Sequence, residues 1–302
     1  MHIVITGGAG FIGHHAVWQA LQRGWKVSVL DNFSTGKMER LLMPSGSIPG
    51  GLTVYECDIA KAAIPDIKEV DYLLHLAAPV SVPESIENWE KYYNGIVQGS
   101  SRIFNWATER GTHAIAAAST AAIYGDSEEV PFNETTEVSP MSPYAEYKLE
   151  METVLSEFHN SSTNTTALRF FNVFGEGQPD DVGYVSAIPI FKKQFENYQP
   201  ITVTGNGLQT RDFVYVGDVV EACFKALTQP RLASLNMQVF NVASGEETQI
   251  LDIAESFGGE IVHIEERDEP KRSLADTTLI KKELDWKPTT NILTWIKEQK
   301  NA

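Results

Sequence analysis

The sequence predicts an α/β protein: a doubly wound parallel sheet carrying a smaller C-terminal α/β lobe. Three observations predict it. Apolar segments of strand length alternate with segments of helical spacing through the first 172 residues. Those apolar segments are continuous, as in strands covered on both faces. Beyond Asn172 the alternation gives way to short apolar pieces broken by Gly- and Pro-rich turns. With 302 residues, 42% of them hydrophobic, one large domain plus a small lobe is the natural division. The large domain is drawn at 1–172 with about 214–243 returning to it, and the lobe at 173–213 and 244–302.

The first strand, residues 1–5, runs directly into Thr6-Gly7-Gly8-Ala9-Gly10-Phe11-Ile12-Gly13. A helix follows, with Phe11, Ile12, His15, Val17, Trp18, Ala20 and Leu21 as its apolar positions, and stops near Arg23-Gly24 before a second strand at 26–30. Strand, glycine turn, helix and strand make one βαβ unit. Gly7 suits the tight turn, Gly10 lets the backbone approach a pyrophosphate, and Gly13 lets the helix lie close on the sheet. The helix N-terminus then holds the phosphates. Asp31 closes the second strand, eighteen residues after Gly13, where its carboxylate accepts from both adenosine ribose hydroxyls and repels a 2′-phosphate. The unit is therefore Rossmann-type, and its cofactor is NAD rather than NADP.

Next come a turn cluster at 32–36, beginning with Asn32 beside the cofactor, and a Pro/Gly/Ser-rich stretch at 43–51 expected to be a mobile surface loop. Strand three is read at 53–57, ending at Asp58-Ile59, and strand four at 72–78. A long helical segment at 82–109 holds more aromatic surface than one sheet face needs. Strand five is read at 113–119, a helix at 143–159 with Ser142 as N-cap and Pro143 in its first position, and strand six at 165–171. A helix at 214–227 and a strand at 239–243 return to the large domain.

Tyr144 and Lys148 stand four apart in that second helix and so share a face. A tyrosine of pKa about 10 is a poor base at neutral pH, but a neighbouring ammonium, aided by an oxidised nicotinamide, lowers it by roughly two or three units. Just upstream, Ser119 and Thr120 place hydroxyls at the carboxyl end of strand five, the edge where such sheets bind ligands.

With these residues in view, the chain resembles the extended short-chain dehydrogenase/reductases, and among them the sugar-nucleotide epimerases and dehydratases. The resemblance runs nearly end to end, through residues 6–13, Asp58-Ile59, His75-Leu76-Ala77-Ala78, 119–125, 143–148, Arg169-Phe170-Phe171-Asn172, 209–216 and 273–276. It implies that Thr120 bonds the sugar hydroxyl being oxidised, Tyr144 takes its proton, and Lys148 binds the nicotinamide ribose, with Ser119 as the adjacent hydroxyl. It also implies NAD contacts at Gly7, Gly10, Phe11, Ile12, Gly13, Asp31, Asn32, Asp58, Ile59, Leu76, Ala77 and Ala78. Asn172, Arg211 and Arg272 would hold a nucleoside diphosphate, and Ser273 would line the pocket beside the sugar's C2 substituent. There is one departure: where the family pattern has Asn, this chain has Ile96, and Asn94 is the candidate to cover for it.

Dehydratases of the family carry an Asp-Glu pair after the catalytic Thr, and decarboxylating members a Glu; here Ala121 and Ala122 follow. The resemblance thus points to a UDP-hexose 4-epimerase with tightly held NAD. A nucleotide-sugar 4-reductase or dehydrogenase is the alternative within the family, and a non-catalytic nucleotide-binding protein the alternative outside it. A homodimer through a four-helix interface is also implied.

Composition narrows the partners. With 24 Lys and Arg against 40 Asp and Glu, the net charge of −16 excludes nonspecific nucleic-acid binding. Cys57 and Cys223 lie in apolar segments and suggest neither a disulfide framework nor a metal site. No apolar run reaches about eighteen residues, and no charged leader precedes the first strand, so a cytoplasmic protein without membrane association is expected.

Overall fold

The computed structural model describes residues 1–127, 129–160, 162–180, 186–229, 236–266 and 269–301. The chain opens β1 (His2–Thr6), α1 (Phe11–Gln22), β2 (Lys26–Asp31), β3 (Leu52–Glu56) and β4 (Tyr72–His75). Next are α2 (Val82–Glu87), α3 (Trp89–Tyr92), a π-helical segment (Tyr93–Gln98) and α4 (Gly99–Glu109). β5 (Ala114–Thr120), α5 (Pro143–Glu157) and β6 (Asn164–Phe170) complete the first part. Strand order is β10-β6-β5-β4-β1-β2-β3, β10 being Gln238–Val242, and every pairing in this seven-stranded sheet is parallel. The expected doubly wound sheet is therefore present, and the order reverses between β1 and β4, which opens a crevice at their carboxyl ends.

All five residues of β1 are buried because both faces are covered. Ile3 and Ile5 pack into a core with Ala16, Val17 and Ala20 of α1; Val4 points the other way, into a core with Ile103 and Phe104 of α4 and Met151 and Leu155 of α5. Ser142 caps α5 by accepting from the Ala145 amide at 3.3 Å, with Pro143 in its first turn, as the sequence predicts.

The small lobe comprises β7 (Asn172–Phe174), α6 (Ala187–Glu196), β8 (Ile201–Thr204), β9 (Thr210–Tyr215), β11 (Glu247–Gln249), α8 (Ile250–Phe257), β12 (Ile261–Ile264) and α10 (Ile292–Asn301). Its separate core gathers Phe174, Phe191, Val203, Phe213, Ile253, Phe257 and Trp295. Two further helices, α7 (Val216–Thr228) and α9 (Thr278–Leu284), lie on the large sheet.

Four expectations need correction. α9 and Trp286 belong to the large domain, since Ile280, Leu284 and Trp286 pack with α7 in the main core, so the lobe does not own all of 244–302. β4 ends at His75 rather than at 78, because the Leu76 amide already divides between the Thr6 carbonyl and the Thr6 hydroxyl, each at 3.2 Å, and the Ala77 amide turns to the hydroxyl, also at 3.2 Å. The single helix expected at 82–109 breaks at Asn88, which caps α2 on one side and α3 on the other. Its aromatic surplus is largely absorbed: Tyr92, Phe104 and Trp106 are buried in the chain's own core, leaving Ile86 and Trp89 exposed.

Candidate active site

The glycine-rich turn is built to let something close to the backbone. Gly7 takes φ +70°, and a Cβ on Gly13 would fall 2.0 Å from the Gly7 carbonyl oxygen, so the helix can start only with glycine there. Phe11 and Ile12 occupy the first turn of α1, where free amides point outward. Asp31, buried at the end of β2, accepts from the Ala9 amide at 2.9 Å and the Phe33 amide at 2.8 Å, so turn and carboxylate are fixed to each other. Asn32 folds back on itself, its Oδ1 accepting from the Ser34 amide at 3.1 Å. Asp58 caps its own turn through the Ala60 amide, and the Ile59 carbonyl accepts from Arg102 at 2.7 Å. Leu76, Ala77 and Ala78 leave β4 directly opposite the glycine turn; a Cβ on Gly7 would meet the Ala77 amide at 2.8 Å. These residues lie at the carboxyl ends of β1 to β4, by the strand-order switch, and they fit a dinucleotide: glycine at 7, 8, 10 and 13 leaves backbone open for a pyrophosphate, and Asp31 keeps lone pairs for a ribose.

Thr120, the last residue of β5, caps the 3₁₀ turn Ala121–Tyr124 by accepting from the Ala122 amide at 3.2 Å. Its hydroxyl also lies near enough to the Tyr144 phenol to act on its proton affinity. Burial pushes the Tyr144 pKa above its ordinary value, and the nearby Thr120 hydroxyl offsets only part of that rise. The expected lowering by Lys148 is therefore not present in the protein alone. The reason is where the ammonium points: Lys148 Nζ, itself buried, donates to the Ala118 carbonyl at 2.7 Å. Burial pushes Lys148 down to about 8, and Glu152, one turn further along α5, pulls in the other direction.

Ser119 does not join these groups. Successive side chains of a strand point to opposite faces, and its hydroxyl donates to Oε1 of Glu152 in the buried layer behind the site. Glu152 in turn accepts from Arg169 Nε at 3.0 Å and Nη2 at 2.8 Å. Arg169 continues to Tyr124, whose phenol donates to Asn241 at 2.7 Å. Asn94, the candidate to cover for Ile96, is exposed, while Ile96 is fully buried in the core of the large domain.

A second, open cleft lies in the small lobe, lined by Asn172, Phe191, Thr202, Gln209, Arg211 and Glu269 among others. Asn172 donates to the Asp212 carbonyl at 2.9 Å, and Arg211 donates to Glu269 at 3.0 Å. Asn172 and Arg211 thus meet in one place, as expected. Arg272 does not join them: it is held bidentately by Glu247 at 2.9 and 2.7 Å, on the other face of the β9–β11 ribbon. Ser273 is half-buried and lies outside the lining of this cleft.

Residue-by-residue reading of the sequence missed the supports. Buried Asp212 accepts from the Ser244 and Gly245 amides, the Ser244 hydroxyl and the Ala275 amide, which ties the segments around the cleft together. Thr6, His75 and Ser100 form a buried chain beneath the glycine turn. The one available signal was the Lys148–Glu152 spacing, which places a carboxylate on the catalytic face of α5. Among the described residues no group of His, Cys, Asp or Glu is arranged to hold a metal ion, and no helix is long and apolar enough to cross a membrane.

A dinucleotide crevice that delivers a Thr, a Tyr and a Lys to one carboxyl edge, beside a lobe with an arginine-lined cleft, defines an enzyme of the extended short-chain dehydrogenase/reductase class. Residues 3–243 match the model of the NAD dependent epimerase/dehydratase family, and the chain belongs to that family, with NAD as its cofactor. It is 30% identical to the UDP-glucose 4-epimerase of Lactobacillus helveticus, over 95% of this chain and 92% of that one. The UDP-N-acetylglucosamine 4-epimerase of Methanobrevibacter ruminantium M1, solved with UDP-N-acetylmuramic acid, superposes with TM-score 0.88 at 32% identity, covering 98% of this chain and 96% of that one. The Thermus thermophilus UDP-glucose 4-epimerase in complex with NAD gives 0.82 at 29% identity, covering 98% and 97%. The chain is accordingly an NAD-dependent isomerase similar to the UDP-glucose 4-epimerases.

Proposed function

We propose that the protein inverts C4 of a UDP-hexose through a transient 4-keto sugar. The observation that carries this reading is the Thr120–Tyr144 pair with Ala121 and Ala122 after it. The site supplies a hydroxyl and a proton acceptor but, at those two positions, no carboxyl group for elimination or decarboxylation. A 4-keto sugar formed there is left with reduction, and reduction on its other face gives the epimer. Bound NAD supplies the hydride acceptor and donor at C4. Thr120 orients the O4 hydroxyl and Tyr144 takes its proton and later returns it. Lys148 turns from the Ala118 carbonyl to the cofactor ribose, where its charge favours the phenolate. Arg211 and Asn172 hold the diphosphate side of the nucleotide, which offers Arg211 the same acceptor chemistry as Glu269. Arg272 contributes to that end only by leaving Glu247.

Ser273 sets substrate breadth by leaving room for an N-acetyl group at C2. Two copies associate through the α4 and α5 faces, and the exposed Ile86 and Trp89 support a partner surface nearby. The two free, buried cysteines suit a reducing cytoplasm. The test is to incubate freshly purified protein with UDP-glucose, UDP-galactose and their N-acetyl counterparts without added cofactor, and to analyse products by NMR. C4-inverted product without net NADH supports the reading; stoichiometric consumption of added NAD or NADH assigns a dehydrogenase or reductase instead.

A further inference from the structure

The loop after β7 fastens the small lobe to the cofactor turn. Its Glu176, exposed at the surface, accepts from the Trp295 indole of α10 at 2.7 Å on one carboxylate oxygen and from the Tyr215 phenol of β9 at 2.8 Å on the other. Gln299 of α10 adds a longer contact at 3.4 Å. These partners belong to the small lobe. The backbone of the same loop reaches the other way. The Glu176 carbonyl accepts from His15 Nε2 at 2.8 Å, and the Gly177 carbonyl accepts from Arg40 at 2.8 Å. Arg40 also reaches the Ala9 carbonyl at 3.4 Å, and His14 donates from Nδ1 to the Gly10 carbonyl at 3.0 Å. Gly177 lies so close over His14 that a Cβ there would fall 2.9 Å from the ring. Ala9 and Gly10 are the turn that faces the pyrophosphate, so the loop spans the groove mouth from lobe to turn.

We propose that the Gly175–Gln178 loop is a clasp over the cofactor groove, anchored by Glu176, and that NAD enters and leaves only when the clasp opens. The carboxylate is held by the neutral donors Trp295 and Tyr215, with the titratable His15 nearby, and although burial raises its pKa, the Trp295 and Tyr215 donors, aided by His15, bring it below the ordinary carboxylate value. The anchor is thus an ionised acceptor at neutral pH, the stronger form of this contact. Glu176 is a positioning residue: it touches neither substrate nor cofactor and acts on NAD through the loop. The inference rests on NAD as cofactor and not on the epimerase reading, so failure of UDP-sugar turnover leaves it standing.

The test measures NAD exchange on the intact chain. Wild type, Glu176→Ala and the double variant Tyr215→Phe/Trp295→Phe, which keeps an aromatic ring at both positions, are stripped of nicotinamide and rebound to NAD in a stopped-flow instrument. Release is followed by dilution of labelled NAD-loaded protein into unlabelled NAD. A clasp slows passage in both directions, so opening it should raise the release rate about tenfold in Glu176→Ala, with a smaller rise in the double variant, and should raise the association rate as well. A merely structural support predicts faster release with unchanged or slower association, and that pattern overturns the proposal. So do wild-type rates in both variants. If Glu176→Ala does not fold, the double variant alone decides.

Discussion

Thr6 donates its hydroxyl to Nδ1 of His75 at 2.7 Å, and that bond fixes the proton on the other ring nitrogen. The Thr6 oxygen already accepts the Leu76 and Ala77 amides, so its single proton goes to His75; His75 Nε2 then carries a hydrogen and donates to Ser100 at 2.8 Å. The chain joins the glycine turn, the loop opposite it and α4 in one neutral network, and a protonated ring has no acceptor at Nδ1 to receive its second hydrogen.

The first prediction is acid lability. Burial, and secondarily the Lys148 charge, lower His75 to about 3 from 6.5. A histidine depressed in the folded state contributes stability that is complete above 6.5 and is lost as pH falls toward 3, because the unfolded chain binds the proton first. At pH 4.5 the loss from this group is about 2–3 kcal/mol. Urea unfolding of wild type and His75→Gln at pH 7 and 4.5 checks it: the wild type should lose more stability between the two conditions, and equal losses would refute the assignment.

Tyr144→Phe removes the proposed base while leaving the ring in place. Turnover should fall by about 10²–10⁴-fold. Bound NAD content should be unchanged. Near wild-type turnover in this variant would dismiss the mechanism given above.

How far the sequence carried is clearest at α5. Ser142, Pro143, Tyr144 and Lys148 were legible because capping and helical spacing are local rules, and the sheet was legible because a strand buried on two faces is apolar throughout. What depends on where a side chain turns was not. Ser119 and Thr120 read as adjacent hydroxyls, yet the pleat sends one to Glu152 and the other to Tyr144. Arg211 and Arg272 read as one clamp, yet the β9–β11 ribbon separates their faces. Trp106 read as surplus surface, yet it is covered by the Arg110 guanidinium 4.3 Å from its ring.

Ser119 therefore yields a prediction that separates a supporting role from a catalytic one. Ser119→Ala should cost about 1–3 kcal/mol of unfolding free energy, since Glu152 loses a buried donor. Turnover should stay within a few-fold of wild type. Glu152→Ala should cost more, about 3–5 kcal/mol, because it leaves Arg169 charged and unpaired in the interior. Chemical denaturation checks both, and a Ser119→Ala enzyme that is stable but inactive would return Ser119 to the catalytic set.

The final prediction concerns Ser273 and follows from how its segment is attached. Thr120 leads into the turn Ala121–Tyr124, and Tyr124 stacks on Phe132 with ring centroids 4.8 Å apart. Phe132 pairs with the chain beyond Ser273: its amide donates to the Leu274 carbonyl at 2.8 Å and its carbonyl accepts from Asp276 at 2.7 Å. The half-buried Ser273 is thus stitched to the wall that begins at Thr120, and its side chain is small. A tyrosine there adds a ring beside the catalytic turn. If Ser273 borders the sugar's C2 substituent, Ser273→Tyr should lower kcat/KM for UDP-N-acetylglucosamine by about 10–200-fold, the range a steric change in a pocket supplies. UDP-glucose should be converted at nearly the wild-type rate, because its C2 hydroxyl needs no such room. Parallel assays with the two substrates decide it: equal loss of both reactions, or of neither, would remove Ser273 from the pocket wall.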